Sequence, residues 1–282
     1  MRHVRAALAV ALVVAACTGG DDATGTSTVP DSQRSPVIEE LFADAGVEGT
    51  FVARNVDSGE SVVANPERAA VPRLPASTFK ILNSLVILES DVLDSVDTTV
   101  PWDGIQRDIA SWNQDHSLRS GIEVSAVWVY QQLARKVGIE RMQEVVSAVG
   151  YGNARVGPNV DDFWLRGDLR ISPQEQLDFL EQLHTGDLPF ADEHLAAVRD
   201  IIVRERGNGW TWSHKTGTAL AGEQALGWLV GIAEYDGDAW VFALNLDLGP
   251  SDDTALERQI DPQVRLDIAR AALVELGALP ER

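Results

Sequence analysis

Residues 73–84 read "RLPASTFKILNS". The chain holds only three lysines, Lys80, Lys136 and Lys215, and one of them stands in this apolar run. The "PAST" corner followed by helical spacing predicts a helix over 76–90. Ser77 and Lys80, three residues apart, then share one helix face. A serine hydroxyl becomes a nucleophile when a neighbouring base takes its proton. A lysine is that base only as a neutral amine, and burial beside Phe79, Ile81 and Leu82 favours the neutral form. Amides at the helix N-terminus, that of Ser77 included, are placed to stabilise an oxyanion. A surface helix with a snorkelling lysine shows the same spacing, so the rest of the chain decides.

Outward from this helix the pattern has a clear order. Upstream, "VIEELFADAG" has helical periodicity and closes on Gly46, and "GTFVARNVDSGESVVANPE" reads as two strands turning at Asp57-Ser58-Gly59. Downstream, residues 91 to about 205 read as mostly helical, with loops at 101–121 and 150–170. "VSAVWVYQQLARKVG" and "SPQEQLDFLEQLHTG" are the clearest helices, the second capped by Ser172, Pro173 and Glu175 and stopped by Gly186. From 209 the period changes to strands, in "GWTWSHKTG", "ALGWLVGIAEY" and "DAWVFALNLDL", with a hairpin signal at Asp236-Gly237. A last helix, "PQVRLDIARAALVELGA", follows. The expectation is a mixed α+β fold: one central antiparallel sheet assembled from both chain ends, terminal helices covering it, and an inserted all-helical lobe. The cleft between sheet and lobe is the expected place for a small-molecule site.

The first 36 residues carry a different signal. Arg2 and Arg5 precede an apolar run, "AALAVALVVAA", that ends in "VAAC". Residues 1–16 therefore read as a signal peptide; the small residues before Cys17, the only cysteine, resemble the lipobox of bacterial lipoproteins, which makes Cys17 the lipidated first residue, with an ordinary secretory signal cleaved nearby as the alternative. Residues 17–36 read as a small, polar, flexible tether, and residues 37–282 as one catalytic domain. The expected location is the cell envelope or periplasm, after export across the cytoplasmic membrane, with membrane contact only through the lipid. The net charge of −20 opposes binding to nucleic acid. No His/Cys/Asp grouping has metal-ligand logic, so no metal is expected.

Two more motifs join Ser77 and Lys80. Lys215, Thr216 and Gly217 end a predicted strand in "HKTGT". Such a strand can pair with an extended substrate amide, its glycine allowing close approach, while Lys215 supplies positive charge for a substrate carboxylate. His214 points to the opposite face and reads as structural. "SAV", Ser125 to Val127, opens a helix; its serine is either a proton relay or a helix cap.

S-x-x-K, S-x-V and K-T-G in this order resemble the penicillin-recognising serine enzymes. The segments around Ser77 and Ser125, "YGN" at 151–153, and "DDFWLRGDLRISPQEQLDFLEQL" with Trp164 to Gly167 as a W-x-x-G narrow the resemblance to the class D, oxacillinase-type β-lactamases. It covers nearly all of residues 40–280. The resemblance implies that Ser77 is acylated by a β-lactam and that Lys80 carries carbon dioxide as an N-carboxylate, which serves as general base. No cofactor is implied beyond carbon dioxide or bicarbonate. The indole of Trp164 would donate to the carbamate, in a pocket lined by Phe79, Val127 and Leu165. Ser125 would pass a proton to the leaving nitrogen. Lys215 and Thr216 would bind the substrate carboxylate, and the amides of Ser77 and Thr218 would form the oxyanion hole. A carboxylate-binding arginine is matched best by Arg265, with Arg258 as the other candidate. Two other activities share these motifs: a β-lactam sensor that stays acylated, and a D,D-peptidase of cell-wall peptides.

Overall fold

The computed structural model describes residues 32–221, 224–250 and 263–281. The signal segment, Cys17, most of the tether and Arg258 lie outside these residues. The elements in order are β1 (Gln33–Arg34), α1 (Pro36–Asp44), β2 (Gly49–Asn55), β3 (Ser61–Ala64) and α2 (Pro66–Ala69). A 3₁₀ turn (Ala76–Phe79) then leads into α3 (Lys80–Glu89). The helical lobe continues with α4 (Leu118–Glu123), α5 (Val127–Val137), α6 (Ile139–Val149), α7 (Pro173–Thr185) and α8 (Asp192–Ile201). The chain returns through β4 (Val203–Gly207), β5 (Trp210–Ala219), β6 (Gln224–Tyr235), β7 (Asp238–Pro250) and α9 (Gln263–Glu275).

The seven strands form one sheet in the order β1-β3-β2-β7-β6-β5-β4. N-terminal β2 pairs antiparallel with C-terminal β7, Gly49 opposite Leu246 through Asn55 opposite Trp240. The expected closure of the sheet by both chain ends is therefore present. Asp236 and Gly237 both have positive φ, as the tight β6–β7 hairpin needs.

Both sheet faces are buried, which is why β7 is apolar almost throughout. Its residues alternate sides, as the period of two demands. Phe242 and Leu244 join Phe51, Ile38, Phe42 and Leu273 beneath α1 and α9. Val241 and Ala243 join Val52, Trp228 and the apolar residues of α3, α5 and α7 in one continuous core under the helical lobe. Each fully buried large side chain contributes about 1.5–3 kcal/mol relative to exposure. The lobe thus shares a core with the sheet.

Local signals acted as read at several ends. Ser172 Oγ accepts from Glu175 N–H at 3.2 Å, Glu175 returns a carboxylate to Ser172 N–H at 2.7 Å, and Gly186 stops α7 with φ of 87°. Two strands depart from the expectation. β4 lies in a stretch read as helical; "VRERG" has little apolar content, and its charges suit an exposed sheet edge. β1 runs parallel to β3, so the sheet is not wholly antiparallel.

Candidate active site

Ser77 sits in the 3₁₀ turn and Lys80 opens α3, so the three-residue spacing closes the pair tightly. Lys80 Nζ lies 2.7 Å from Ser77 Oγ. Ser77 is 5% exposed and Lys80 is wholly buried. Burial alone pulls the Lys80 amine down to about 7. A neutral amine is therefore well populated near neutral pH, as the apolar run around it suggests. Ala76, just before the nucleophile, has φ of 51°, a left-handed conformation that a non-glycine residue adopts at a cost. Its N–H donates to the Trp164 carbonyl at 2.9 Å, so the corner is tied to the distant W-x-x-G loop.

That loop forms an aromatic box around Phe79, the residue before Lys80. Phe79 stacks on Trp164 with centroids 5.4 Å apart, while Phe163 and Tyr151 meet Phe79 edge-on at 5.1 and 5.7 Å. The Lys80 amine lies over the Tyr130 ring at 5.4 Å. Trp164 is fully buried, yet its Nε1 finds no acceptor among the described residues. A buried unpaired donor costs about 1–3 kcal/mol. Phe79 is buried, Leu165 packs partly buried on the core, and Val127 is half-buried at the start of α5. Gly167 is required by space: a Cβ there would stand 2.5 Å from both the Gly157 carbonyl and Phe163 Cα.

The Y-G-N residues hold this loop in place, a role the sequence alone did not reveal. Asn153 Oδ1 accepts from Arg170 N–H at 3.0 Å, and its Nδ2 donates to the Asp168 carbonyl at 2.9 Å. Gly152 backs directly onto the Arg170 carbonyl, leaving no room for a Cβ.

The K-T-G strand forms the facing wall. At Gly217 a Cβ would meet the Pro75 carbonyl at 3.0 Å and Thr78 at 3.1 Å, so glycine brings β5 against the nucleophile turn. Lys215 Nζ donates to Ser125 Oγ at 3.1 Å and to the Thr216 carbonyl at 2.8 Å. Burial, then the charges of Lys80, Arg204 and Arg265, hold its amine well below the ordinary lysine value. Ser125 does not cap α5: Ala126 holds that position, and Ser125 has φ of 58°.

Arg265 reaches the same wall from α9. It is buried, and its Nη1 donates to the Gly217 carbonyl at 2.7 Å and to Thr218 Oγ1 at 3.2 Å. Gly227 gives it space, because a Cβ there would press on the Arg265 side chain at 2.9 Å. His214 lies against Trp212 on the opposite face, the rings tilted at 54°, and burial and nearby cations push its imidazole down to about 3. Between the walls lies a cleft of about 300 Å³ that exposes Ser77, Ser125 and Thr216 to Thr218. The cleft lining also includes Ile109, Trp112 and Val124, to which the sequence reading assigns no role. Trp112 is anchored there by its Nε1, which donates to the Val124 carbonyl at 2.9 Å.

A serine with a buried amine partner, a second serine–lysine pair and a K-T-G edge define a serine acyl-transfer site of the penicillin-binding type. The family model for the penicillin-binding protein transpeptidase domain matches residues 49–264. The chain is 38% identical over 223 residues to β-lactamase OXA-48 of Klebsiella pneumoniae, covering 79% of this chain and 84% of that protein. It is 37% identical over 210 residues to the probable β-lactamase YbxI of Bacillus subtilis, covering 74% and 78%. Among solved structures, the class D β-lactamase FUS-1 (OXA-85) of Fusobacterium nucleatum superposes with a TM-score of 0.81 at 34% identity, covering 88% of this chain and all of that one. The chain belongs to the class D β-lactamases.

Proposed function

We propose that the protein hydrolyses the β-lactam amide through an acyl-enzyme on Ser77. Ser77 Oγ bonds to the lactam carbonyl carbon, and the C–N bond opens. The proton lost by Ser77 goes to the general base, and the nitrogen receives one through Ser125, with Lys215 in contact. The general base then takes a proton from water, whose oxygen adds to the ester carbonyl carbon; the Ser77 Oγ–carbon bond breaks, Ser77 Oγ receives that proton, and the ring-opened acid leaves. The observation that carries this reading is the buried Ser77–Lys80 pair at 2.7 Å, together with a buried Trp164 indole that has no acceptor among the described residues. Carbon dioxide on the Lys80 amine would supply the anionic general base for both acylation and deacylation. The residues fit that group, since the amine is depressed toward neutrality and Trp164 offers a free donor. A bare Lys80 amine would leave that donor unused.

Arg265, Thr216 and Lys215 hold the substrate carboxylate, and the amides of Ser77 and Thr218 hold the oxyanion. Arg265 is preferred to Arg258 because it already contacts Gly217 and Thr218. The protein is exported and tethered to a membrane by a lipid on Cys17, with β-lactam small molecules as its ligands. The test is nitrocefin hydrolysis by wild type and Ser77→Ala. Steady turnover lost in the variant supports the reading. A single burst without turnover in the wild type would make the protein a sensor instead, and release of D-alanine from a cell-wall peptide would make it a peptidase.

A further inference from the structure

The cleft wall facing the K-T-G strand carries a charge that the chemistry above does not use. Of the ten residues that line the cleft, Glu123 is the only one with an ionisable side chain. It is exposed and makes no hydrogen bond or ion pair among the described residues. It is also the last residue of α4, where a carboxylate opposes the helix dipole, so helix stability does not account for it. The nearby cation that feels it is Arg204, whose Nη1 donates to the Ile201 and Val203 carbonyls and whose guanidinium is largely buried, so it makes no ion pair with Glu123.

Its position tells what it faces. Glu123 precedes Ser125 by two residues, and Ser125 is the group assigned to the lactam nitrogen. The ring fused at that nitrogen must then lie against the Glu123–Ser125 wall, and a substituent on that ring points along it. The same wall presents Trp112, whose face suits a flat cation. We propose that Glu123 is a specificity-determining residue that favours β-lactams carrying a positive charge on the fused-ring substituent. This inference rests on the β-lactam reading.

Cephaloridine and cephalothin make the test, because they share one acyl side chain and differ at the fused ring in a pyridinium against a neutral acetoxy group. The readout is the ratio of their kcat/KM values, in wild type, Glu123→Gln and Glu123→Lys. The ratio should fall about fivefold in the glutamine variant and more in the lysine variant, chiefly through the KM of cephaloridine. Raised salt should shrink the effect, because the carboxylate is exposed. A ratio that holds within about twofold in both variants overturns the assignment. So does an equal fall for both substrates, which would make Glu123 a support for the wall. If wild type opens cephalothin and the ratio does not move, only the Glu123 assignment fails. If wild type opens neither compound, the β-lactam reading fails with it.

Discussion

Replacing Lys80 by Met should stabilise the protein while destroying turnover, and the gain should depend on pH in a specified way. The Lys80 amine is wholly buried and held at about 7, against an ordinary value of 10.5. Between those values the unfolded chain binds a proton that the folded chain does not. Wild-type stability therefore rises as pH rises through this window, and the penalty is greatest at and below pH 7. Depression of this size costs at most about 4 kcal/mol at pH 7 and about 2 kcal/mol less at pH 9. Met has similar volume and no charge, so it removes this penalty. Losing the Ser77–Lys80 hydrogen bond subtracts roughly 1 kcal/mol from the gain, with little dependence on pH. Lys80 also helps depress Lys215, so its loss relaxes that group in the same direction. Urea unfolding in carbon-dioxide-depleted buffer, at several pH values and with equal m, measures the difference. The advantage of the Met variant should shrink by about 2 kcal/mol from pH 7 to pH 9. Parallel stability curves over that range would mean an ordinary Lys80 amine and would refute the reasoning.

Trp164→Phe keeps the stack on Phe79 but deletes the unpaired N–H, so kcat should fall roughly 10- to 100-fold and demand more bicarbonate; wild-type kcat without added bicarbonate would count against the Trp164 role. Gly217→Ala places a methyl against the Pro75 carbonyl, so β5 must shift by a few tenths of an ångström and kcat/KM should drop about tenfold. Arg265→Ala should raise KM roughly 30-fold with a smaller change in kcat, and Gly227→Ala, which crowds the same guanidinium, should do part of this. In steady-state assays the rate should fall as pH drops below about 7, because the amine then protonates, and bicarbonate should offset part of the loss; a flat acid limb would contradict a depressed Lys80.

The readable parts of this site were those set by short-range geometry. Ser77 and Lys80 meet because a helical turn joins positions three apart, and the apolar letters around Lys80 foretold its burial. The Asp236-Gly237 turn and the Ser172–Glu175 cap are likewise local. What stayed hidden depends on contacts across the fold. The depressed Lys215 amine needs burial plus three cations from three other elements. The reason for Gly217 is a carbonyl at Pro75, and the reason for Gly227 is a side chain on α9. The sequence leaves Ser125 open between proton relay and helix cap; Ala126 takes the cap position, and Ser125, with its left-handed backbone, lines the cleft. β4 escaped notice because an edge strand with Arg204, Glu205 and Arg206 lacks apolar alternation.

The central claim is that the working base is a carboxylated Lys80. Carbon-13 NMR of wild-type protein equilibrated with ¹³C-bicarbonate tests it directly, with Lys80→Ala as the reference. The account predicts a carbamate resonance in wild type that disappears together with turnover on degassing, returns with bicarbonate, and is absent from the variant. Full turnover in degassed wild-type enzyme with no such resonance would contradict it.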